Sequence, residues 1–405
     1  MTTRRRRHQR EQEGVGERFE LVLTGMGHHG LALGRRGEQV VFAAYGIPGE
    51  TVEVEVTRNH RDYLEAKVVR VIIPSPDRVE PPCPYYGDCG GCQYQHISYE
   101  RQLALKRDVV VDQLRRIGKF NDAPVAPTLP APLQWHYRNH ARFTVNKEGL
   151  LGFVRPNTHR CVPVEECLLL AEPMNGILGQ LQGHCAETRQ LSLRYGVNTG
   201  EHLIQPKIKN PVLRIETGQA GYHEELRGHR FRVASPSFFQ VNTTQAERLT
   251  GLVLDFLGAD GVDLLVDAYA GVGTFAVLLA ERARRVIAVE ESGPAVRDGR
   301  ANSVWAANVE WVQGKVEEVL PELTPAPDVV LLDPPRAGCH GDVLAALAAH
   351  RPRRVVYVSC EPATLARDLR ILCDRGFRLL KVQPVDMFPH TYHIEAVATL
   401  EWGGG

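Results

Sequence analysis

The sequence predicts a multidomain α/β protein with an N-terminal OB-like β-barrel, a central β-containing unit and a C-terminal, Rossmann-like doubly wound sheet. Three observations support this prediction. The chain has 405 residues, more than a single hydrophobic core usually organises. Short β-rich runs separated by glycines occupy residues 19–73. From Val262 onward an apolar strand, a glycine loop and a helix alternate repeatedly, which is typical of a mostly parallel sheet.

The N-terminal region divides into a tail and a barrel. Residues 1–16 are predicted to be a disordered basic tail, because the first ten contain five arginines and no acidic residue. Residues 17–74 contain the β-rich runs 38–44, 51–56 and 65–73, and we expect about five short strands that close into a small barrel. Such barrels often bind RNA, although a fold alone does not establish a function.

A central domain is expected over residues 75–237. Prolines at positions 74, 76, 81 and 82 predict a stiff linker at its start. The spacing of apolar residues predicts a helix over 98–118, with Ser98 as its N-cap and Gly118 at its end, packed on the C-terminal domain. Short strand-like runs alternate with turns over residues 133–235.

The C-terminal domain, residues 238–405, has the clearest pattern. Its predicted strands are 264–268, 286–289, 309–312, 329–332 and 355–358. Each is short, apolar and followed by a glycine-containing or polar loop, as expected for strands covered by helices on both faces.

The composition limits the possible classes of protein. The formal net charge is zero, so contact with a nucleic acid must come from local basic patches. There is no long apolar run and no signal-peptide pattern, which predicts a soluble cytoplasmic protein without a membrane partner. Nothing in the sequence requires an obligate protein partner or a dimer. Nine scattered cysteines do not resemble the disulfide framework of a small secreted domain.

A glycine loop follows the first strand of the C-terminal domain. The segment Asp267–Phe275 contains Gly271 and Gly273, where the backbone can approach a ligand closely at the start of a helix expected to reach about Ala283. The segment lacks the third glycine of the dinucleotide fingerprint. By itself this loop is weak evidence for a cofactor.

Two acidic residues strengthen the prediction of a cofactor site. Glu290 ends the second strand, where a carboxylate can accept hydrogen bonds from ribose hydroxyls, and Asp333 follows the fourth. The carboxyl ends of parallel strands meet at one edge of a sheet, where ligands of such folds bind. We therefore predict a nucleotide-like cofactor, and S-adenosylmethionine fits better than NAD because the loop lacks the pyrophosphate fingerprint.

A cysteine and a carboxylate suggest the chemistry. Cys360 stands at the end of a buried strand, and Glu395 follows about thirty residues later in the segment His390–Glu395. A thiolate and a proton acceptor together indicate attack on an electrophilic ring carbon.

A separate group of cysteines has the spacing of metal ligands. Cys83, Cys89 and Cys92 lie in a segment rich in proline and glycine, where a bound metal can replace a core. The spacing alone leaves zinc and an iron–sulfur cluster as alternatives, but the second C-x2-C that commonly closes a zinc ribbon is absent.

Five motifs in order resemble those of the RNA uracil-5-methyltransferase family. They are Phe238–Asn242, Asp267–Phe275, Asp333–Arg336, Ser359-Cys360 with its extension Pro362–Asp368, and Asp386–Glu395. The resemblance covers nearly the whole chain, because the N-terminal barrel looks like a TRAM domain. It implies S-adenosylmethionine-dependent methylation of carbon 5 of a uridine in RNA.

The resemblance also implies roles for individual residues. Cys360 matches the nucleophile that adds to carbon 6 of uracil, and Glu395 matches the base that removes the proton from carbon 5. His390 and His393 are expected to shape the pocket. The expected cofactor contacts are Gln240, Tyr269, Gly271, Gly273, Thr274, Glu290 and Asp333. Two positions depart from the family pattern: Ala270 stands where many members have cysteine, and Thr274 where asparagine often occurs.

The cysteine group acquires a fourth member through the same resemblance. Cys167 matches the family's distant ligand, which together with Cys83, Cys89 and Cys92 implies a structural [4Fe–4S] cluster rather than zinc. Cys161, six residues earlier, is the residue most easily confused with it.

The RNA contact is predicted from an interleaved pattern. Residues 135–143, continued by Arg155 and Arg160, alternate aromatic and basic side chains, which suits looped RNA, although a half-buried β-hairpin gives the same pattern. The target uridine must be flipped or lie in a loop. The resemblance favours 23S ribosomal RNA over transfer RNA. A non-covalent RNA methyltransferase and an RNA-binding scaffold are the alternatives from other classes.

Overall fold

The N-terminal unit is a closed five-stranded barrel with strand order β1-β2-β3-β5-β4. It is seen in a computed structural model that describes residues 14–258 and 261–403. The strands are β1 (Arg18–Met26), β2 (Ala32–Arg36), β3 (Gln39–Ala44), β4 (Thr51–Asn59) and β5 (Tyr63–Ile73). Strict alternation in β4 buries Val52, Val54 and Val56 in the barrel core, which confirms the predicted barrel. Most of the predicted basic tail lies outside the described residues.

The central unit contains an antiparallel sheet and one helix. The strands are β6 (His140–Val145), β7 (Leu151–Val154), β8 (Cys161–Pro163), β9 (Gln190–Tyr195) and β10 (His202–Gln205), in the order β10-β9-β6-β7-β8. Helix α2 (Glu172–Leu181) packs its buried face, including Met174 and Leu178, against Phe143 and Leu191 of the sheet. A separate hairpin, β11 (Gly221–Leu226) and β12 (His229–Ala234), shares a core with the C-terminal helices.

Helix α1 (Tyr99–Arg116) connects the central and C-terminal units. Val109, Val110 and Leu114 belong to the same hydrophobic core as the C-terminal sheet. Ser98 occupies the N-cap position, but its side chain makes no capping hydrogen bond and its hydroxyl donates to Asp77 instead. The helix ends just before the expected Gly118.

The C-terminal sheet has seven strands in the order β15-β14-β13-β16-β17-β19-β18. They are β13 (Val262–Ala268), β14 (Ala283–Glu290), β15 (Val309–Gln313), β16 (Val329–Leu332), β17 (Arg354–Ser359), β18 (Phe377–Val385) and β19 (Glu395–Trp402). The first five are parallel, and β19 is antiparallel to both of its neighbours. The first five were expected from the sequence; β18 and β19 were not.

Helices cover both faces of this sheet. They are α3 (Thr243–Leu257), α4 (Thr274–Leu279), α5 (Gly293–Asn302), α6 (Val316–Val319) with a 3-10 turn (Leu320–Glu322), α7 (Gly341–His350) and α8 (Pro362–Asp374). Helix α4 ends at Leu279, so the expectation that it reaches about Ala283 is wrong. Ala283 already belongs to β14, where it pairs with Val262. No helix among the described residues is long and apolar enough to cross a membrane.

The strand order brings the loops that carry the predicted site residues to one edge of the sheet. The strand order reverses between β13 and β16, because β14 and β15 lie on one side of β13 and β16 and β17 lie on the other. The loops after β13 and β16 open a crevice at the carboxyl ends of these two strands. Because β19 runs antiparallel to β17, its first residue, Glu395, lies at the edge where β17 ends with Ser359. Two distant parts of the sequence therefore meet at one place.

Candidate active site

A cleft of about 1010 Å³ lies at this edge of the sheet. Its wall contains every predicted catalytic and cofactor-contacting residue except Gly273, namely Gln240, Tyr269, Gly271, Thr274, Glu290, Asp333, Cys360 and Glu395. A volume of this size is at the upper end of the range for small-molecule sites. The cleft therefore has room for a cofactor and part of a second ligand.

The glycine loop is held in an unusual backbone conformation. Tyr269 and Gly271 have positive φ values of 67° and 57°, and Gly273 has a φ of 87°. A Cβ atom at Gly273 would lie 2.8 Å from the ring of Trp311, so this glycine allows close packing behind the loop and does not line the cleft. The structure gives Gly273 a supporting position, and its predicted cofactor contact stays a prediction.

Glu290 fixes the glycine loop and faces the cleft. Its Oε2 accepts a hydrogen bond of 2.9 Å from the main-chain N–H of Gly271, and its Oε1 accepts one of 2.7 Å from Ser292. A carboxylate has about four acceptor positions, so two remain for a ligand. The residue predicted as ribose acceptor is thus preorganised by the loop it supports.

Three carboxyl groups lie at or beneath the floor of the site: Asp333 and Glu395 line the cleft, and Asp267 is fully buried and does not line it. Burial, together with the charge of Asp333, raises the pKa of Asp267 well above its ordinary value. Burial raises the pKa of Asp333 to about 7. The pKa of Glu395 is also raised well above its ordinary value, by burial and then by Asp333, while Arg336 opposes the shift. Raised pKa values favour the neutral acids, so the floor carries less negative charge at neutral pH than three ordinary carboxylates.

Cys360 is half-buried and directly follows β17. Burial raises the pKa of its thiol to about 11, and the charge of Glu395 adds to this shift. The guanidinium of Arg336, which also lines the cleft, acts in the opposite direction. Arg336 is therefore the positive group beside the thiol. Arg336 ends the motif Asp333–Arg336, but the motif itself predicts no function for it.

The segment 386–395 is anchored from helix α1. Nζ of Lys106 donates to Oδ1 of Asp386 at 2.6 Å and to the carbonyl of Phe388 at 2.9 Å, with both side chains of the ion pair fully buried. The amide of Gln102 exchanges hydrogen bonds with His390, at 2.9 Å to its main-chain N–H and 3.1 Å to Nδ1. No local sequence pattern predicts a function for Lys106 or Gln102, because only the tertiary fold brings them to this segment.

The two histidines of this segment have different positions. His393 lines the cleft, and burial lowers its pKa to about 4, so it is neutral. His390 lies outside the cleft, buried, with its ring stacked on Trp135 at a centroid distance of 3.6 Å. The expectation that both shape the pocket is therefore wrong for His390.

The segment predicted to contact RNA is largely internal. Tyr137 is buried and donates to the carbonyl of Pro389 at 3.0 Å, and Arg138 is half-buried. In β6, alternation buries Phe143 and leaves Arg142 exposed. Arg155 and Arg160, which continued the predicted pattern, are exposed as well. Residues 135–143 are therefore a half-buried strand and its docking segment, and RNA contact through Arg142, Arg155 and Arg160 stays a prediction.

The four predicted cluster ligands line a second, smaller cavity. Cys83, Cys89, Cys92 and Cys167 all contribute to its wall, together with Arg138, whose Nε is buried without a hydrogen-bond partner among the described residues. Cys161 lies elsewhere, with its thiol donating to the carbonyl of Thr144. Within residues 14–258 and 261–403, however, no three or more His, Cys, Asp or Glu side chains are arranged so that they could hold a metal ion.

Comparisons with known proteins agree with this architecture. Residues 223–402 match the family described as tRNA (Uracil-5-)-methyltransferase, and residues 12–69 match the TRAM domain. Among curated proteins, an uncharacterised RNA methyltransferase of Synechocystis sp. is 35% identical, covering 95% of this chain and 96% of its own. Another, from Thermosynechococcus vestitus, is 36% identical over 95% of this chain and 98% of its own.

A solved structure is similar along almost the full length. It is the tRNA (uracil-54, C5)-methyltransferase of Pyrococcus abyssi in complex with S-adenosyl-L-homocysteine, with a TM-score of 0.75 and 26% identity over 94% of this chain and 99% of the other. The fold and these relatives define an S-adenosylmethionine-dependent RNA methyltransferase with an N-terminal TRAM domain. The chain belongs to the RNA uracil-5-methyltransferase family, which confirms the resemblance seen in the sequence.

Proposed function

We propose that this protein methylates carbon 5 of a specific uridine in RNA through a covalent bond between Cys360 and carbon 6 of the base. The observation that supports this most strongly is the meeting of Cys360 and Glu395 in one cleft, close enough that the carboxyl group raises the pKa of the thiol. A nucleophile and a proton acceptor that act on neighbouring atoms of one substrate ring must lie this close together.

The chain offers a suitable site for S-adenosylmethionine. Gln240, Tyr269, Gly271, Thr274, Glu290 and Asp333 would hold it, with the free acceptor positions of Glu290 directed to the ribose hydroxyls. When bound, S-adenosylmethionine supplies an electrophilic methyl group on a sulfonium centre.

Cys360 begins the reaction by activating the uracil ring. Its thiolate forms a bond to carbon 6, and the electrons of the carbon 5–carbon 6 double bond move towards the carbonyl oxygen at carbon 4. Carbon 5 thereby becomes nucleophilic enough to take the methyl group. Burial raises the pKa of the thiol to about 11 although Arg336 opposes the shift, so Arg336 is the positive group that favours the thiolate when it forms.

Glu395 completes the reaction by removing the proton from carbon 5. The electrons of that carbon–hydrogen bond restore the double bond, and the thiolate of Cys360 leaves carbon 6. A carboxylate with a raised pKa is a stronger base than an ordinary one once it is ionised. The cleft lies at the edge of a folded sheet, so the uridine must enter it unstacked, either flipped out or within a loop.

The proposed RNA is 23S ribosomal RNA, as the sequence resemblance favours, and transfer RNA is the second candidate. The second candidate is supported by the Pyrococcus abyssi enzyme, whose name gives transfer RNA as its substrate and which matches this chain through both the barrel and the catalytic domain. The domain architecture is therefore compatible with either RNA, and a direct comparison is required.

We expect a denaturation-resistant adduct when the protein and S-adenosylmethionine are mixed with 5-fluorouridine-substituted RNA. Fluorine at carbon 5 prevents the final elimination, so the covalent species accumulates. Ribosomal and transfer RNA, each substituted in the same way, are compared by denaturing electrophoresis. An adduct on one RNA identifies the substrate and, after nuclease mapping, the uridine. Methylation without an adduct on either would contradict the covalent mechanism, and cofactor binding without methylation would favour a scaffold.

We also propose that Cys83, Cys89, Cys92 and Cys167 hold a structural [4Fe–4S] cluster in the central domain. The four thiols line one cavity, and four cysteines are the ligand set such clusters use. Because no three of them are arranged to hold a metal ion among the described residues, the thiols would have to move closer together when the cluster binds. Arg138 supports the proposal, because its buried, unpaired Nε would lie beside a negatively charged group. Methyl transfer includes no redox step, so the cluster would order the surrounding loops.

The cluster is tested by the metal content of anaerobically purified protein. We expect about four iron and four sulfide ions per chain in the wild type, and loss of most of both in Cys89→Ser. Cys161→Ser is the matched control and should retain them, because Cys161 does not line the cavity. Stoichiometric zinc in place of iron, or equal loss in both variants, would contradict this assignment.

A further inference from the structure

A loop of the TRAM barrel reaches the catalytic centre. The turn between β1 and β2, residues 27–31, is called the barrel loop here. Nε2 of His28 lies 2.8 Å from Oε1 of Glu361, with 18% and 20% of these side chains exposed. Glu361 is the residue directly after Cys360. The barrel therefore contacts, through the side chain of His28, the residue next to the nucleophile in the sequence.

The barrel loop also contacts the segment that leads to the base. His29 packs edge-on against Tyr392, with centroids 6.0 Å apart, and Tyr392 in turn contacts His393 at 4.3 Å. Gly30 has a φ of 75°, and a Cβ atom there would lie 2.6 Å from Cβ of Tyr392. Such a close approach is possible only for glycine, so the loop is fitted against the catalytic domain.

The side chain of Glu361 has no local function that would explain its position. It occupies the N-cap of helix α8 without accepting a capping hydrogen bond. The main chain of Glu361 is held by contacts within the catalytic domain, because its N–H donates to Oγ of Ser359 and its carbonyl accepts from Thr364. The contact with His28 adds a contact from the barrel to its side chain.

The chemistry of the contact suits a positioning function. Burial lowers the pKa of His28 and outweighs the charge of Glu361, which raises it, so the neutral ring is favoured and its Nε2–H donates to the carboxylate. His29 and Arg336 face the same ring, and both favour its neutral form. His28 does not line the cleft, which excludes it from direct contact with the reacting atoms.

We propose that His28 is a positioning residue for the proposed methyl transfer, fixing the loop that carries Cys360 through Glu361, so that the TRAM barrel completes the catalytic centre. The inference rests on the proposed function and extends it, because it gives the barrel a part in the chemical step. A displacement of about 1 Å at a reacting group can cost about 100-fold in rate, so a loosened nucleophile loop should have a measurable effect.

The test measures adduct formation on 5-fluorouridine-substituted RNA at saturating RNA and S-adenosylmethionine. His28→Ala should slow this step about tenfold or more while RNA affinity changes less than about twofold. His28→Gln, whose amide N–H can reach the same carboxylate, should recover most of the rate. In a double-mutant cycle, His28→Ala should add little to Glu361→Ala, because both remove one interaction.

His60→Ala is the matched control. His60 forms the same type of contact within the barrel, 2.9 Å from Glu65, and should leave the rate unchanged. The inference is overturned if the loss in His28→Ala appears only in RNA affinity, if His28→Gln is as slow as His28→Ala, if the two substitutions are additive, or if His60→Ala is equally slow. Absence of an adduct in the wild type would instead overturn the proposed function itself.

Discussion

Cys360→Ala is expected to abolish methyl transfer, with a rate reduced by more than about 10³-fold. Without a thiolate at carbon 6, carbon 5 of uracil remains a poor nucleophile and the methyl group has no acceptor. Cys360→Ser should be nearly as inactive, because a hydroxyl is a much weaker nucleophile than a thiolate when no adjacent base activates it. The measurement is single-turnover transfer of labelled methyl groups to the substrate RNA.

The loss should be confined to chemistry. Cys360 is half-buried at the end of β17, so truncation leaves no large cavity, and both RNA and S-adenosylmethionine should bind with affinities close to those of the wild type. Cys373→Ala is the matched control, because Cys373 lies on α8 outside the cleft wall. Retention of more than about a tenth of the wild-type rate by Cys360→Ala would replace the covalent mechanism with a direct one.

The fold could be predicted from the sequence wherever the pattern is local. The parallel strands from β13, which begins at Val262, to β16, which ends just before Asp333, are short apolar runs with polar or glycine-rich ends. In the barrel, buried and less buried residues alternate strictly along β4, as Val52, Val54 and Val56 show. Strands β18 and β19 escaped prediction because they depend on pairing with β17 and with each other. Their residues acquire a strand period only within that sheet.

The residues of the candidate site could likewise be predicted where they belong to a local pattern, and not where they depend on tertiary contacts. Gly271, Asp333 and Cys360 come after strands and Glu290 ends one, so the rule that ligands bind at the carboxyl ends of parallel strands places them together. The supporting contacts come from other domains and leave no local pattern. Lys106 lies 280 residues from Asp386 in the sequence, and Gln102 lies 288 from His390. His390 was placed in the pocket because it neighbours His393, but its backbone turns the ring towards Trp135.

The charge of the site could be predicted only in part. A cysteine and a carboxylate indicate a nucleophile and a base, but their pKa values depend on the tertiary environment. Burial raises the pKa of both Cys360 and Glu395; the charge of Glu395 adds to the first shift and the charge of Asp333 to the second, and Arg336 opposes both. The fold brings Arg336 to the cleft wall, where it is the positive group that favours the thiolate of Cys360.

Glu395→Gln is expected to trap the reaction after methyl transfer. Glutamine keeps the size of the side chain in this buried position but cannot accept the proton from carbon 5. The thiolate then cannot leave, and a covalent protein–RNA species should accumulate with ordinary uridine and S-adenosylmethionine, without fluorine. Release of methylated RNA should slow by about 10²–10⁴-fold. Denaturing electrophoresis with doubly labelled RNA and methyl group measures both quantities.

The pH dependence of release provides a second test of the same residue. Glu395 must be ionised to accept the proton, and its pKa is raised, so the wild-type rate should increase as the pH rises through that pKa, well above the value of 4.5 for an ordinary glutamate. Glu395→Gln should lose this increase. Glu401→Gln, at the other end of β19 and paired with Arg378, should retain wild-type release and pH dependence. Rapid release by Glu395→Gln would assign the proton acceptor to another group in the cleft.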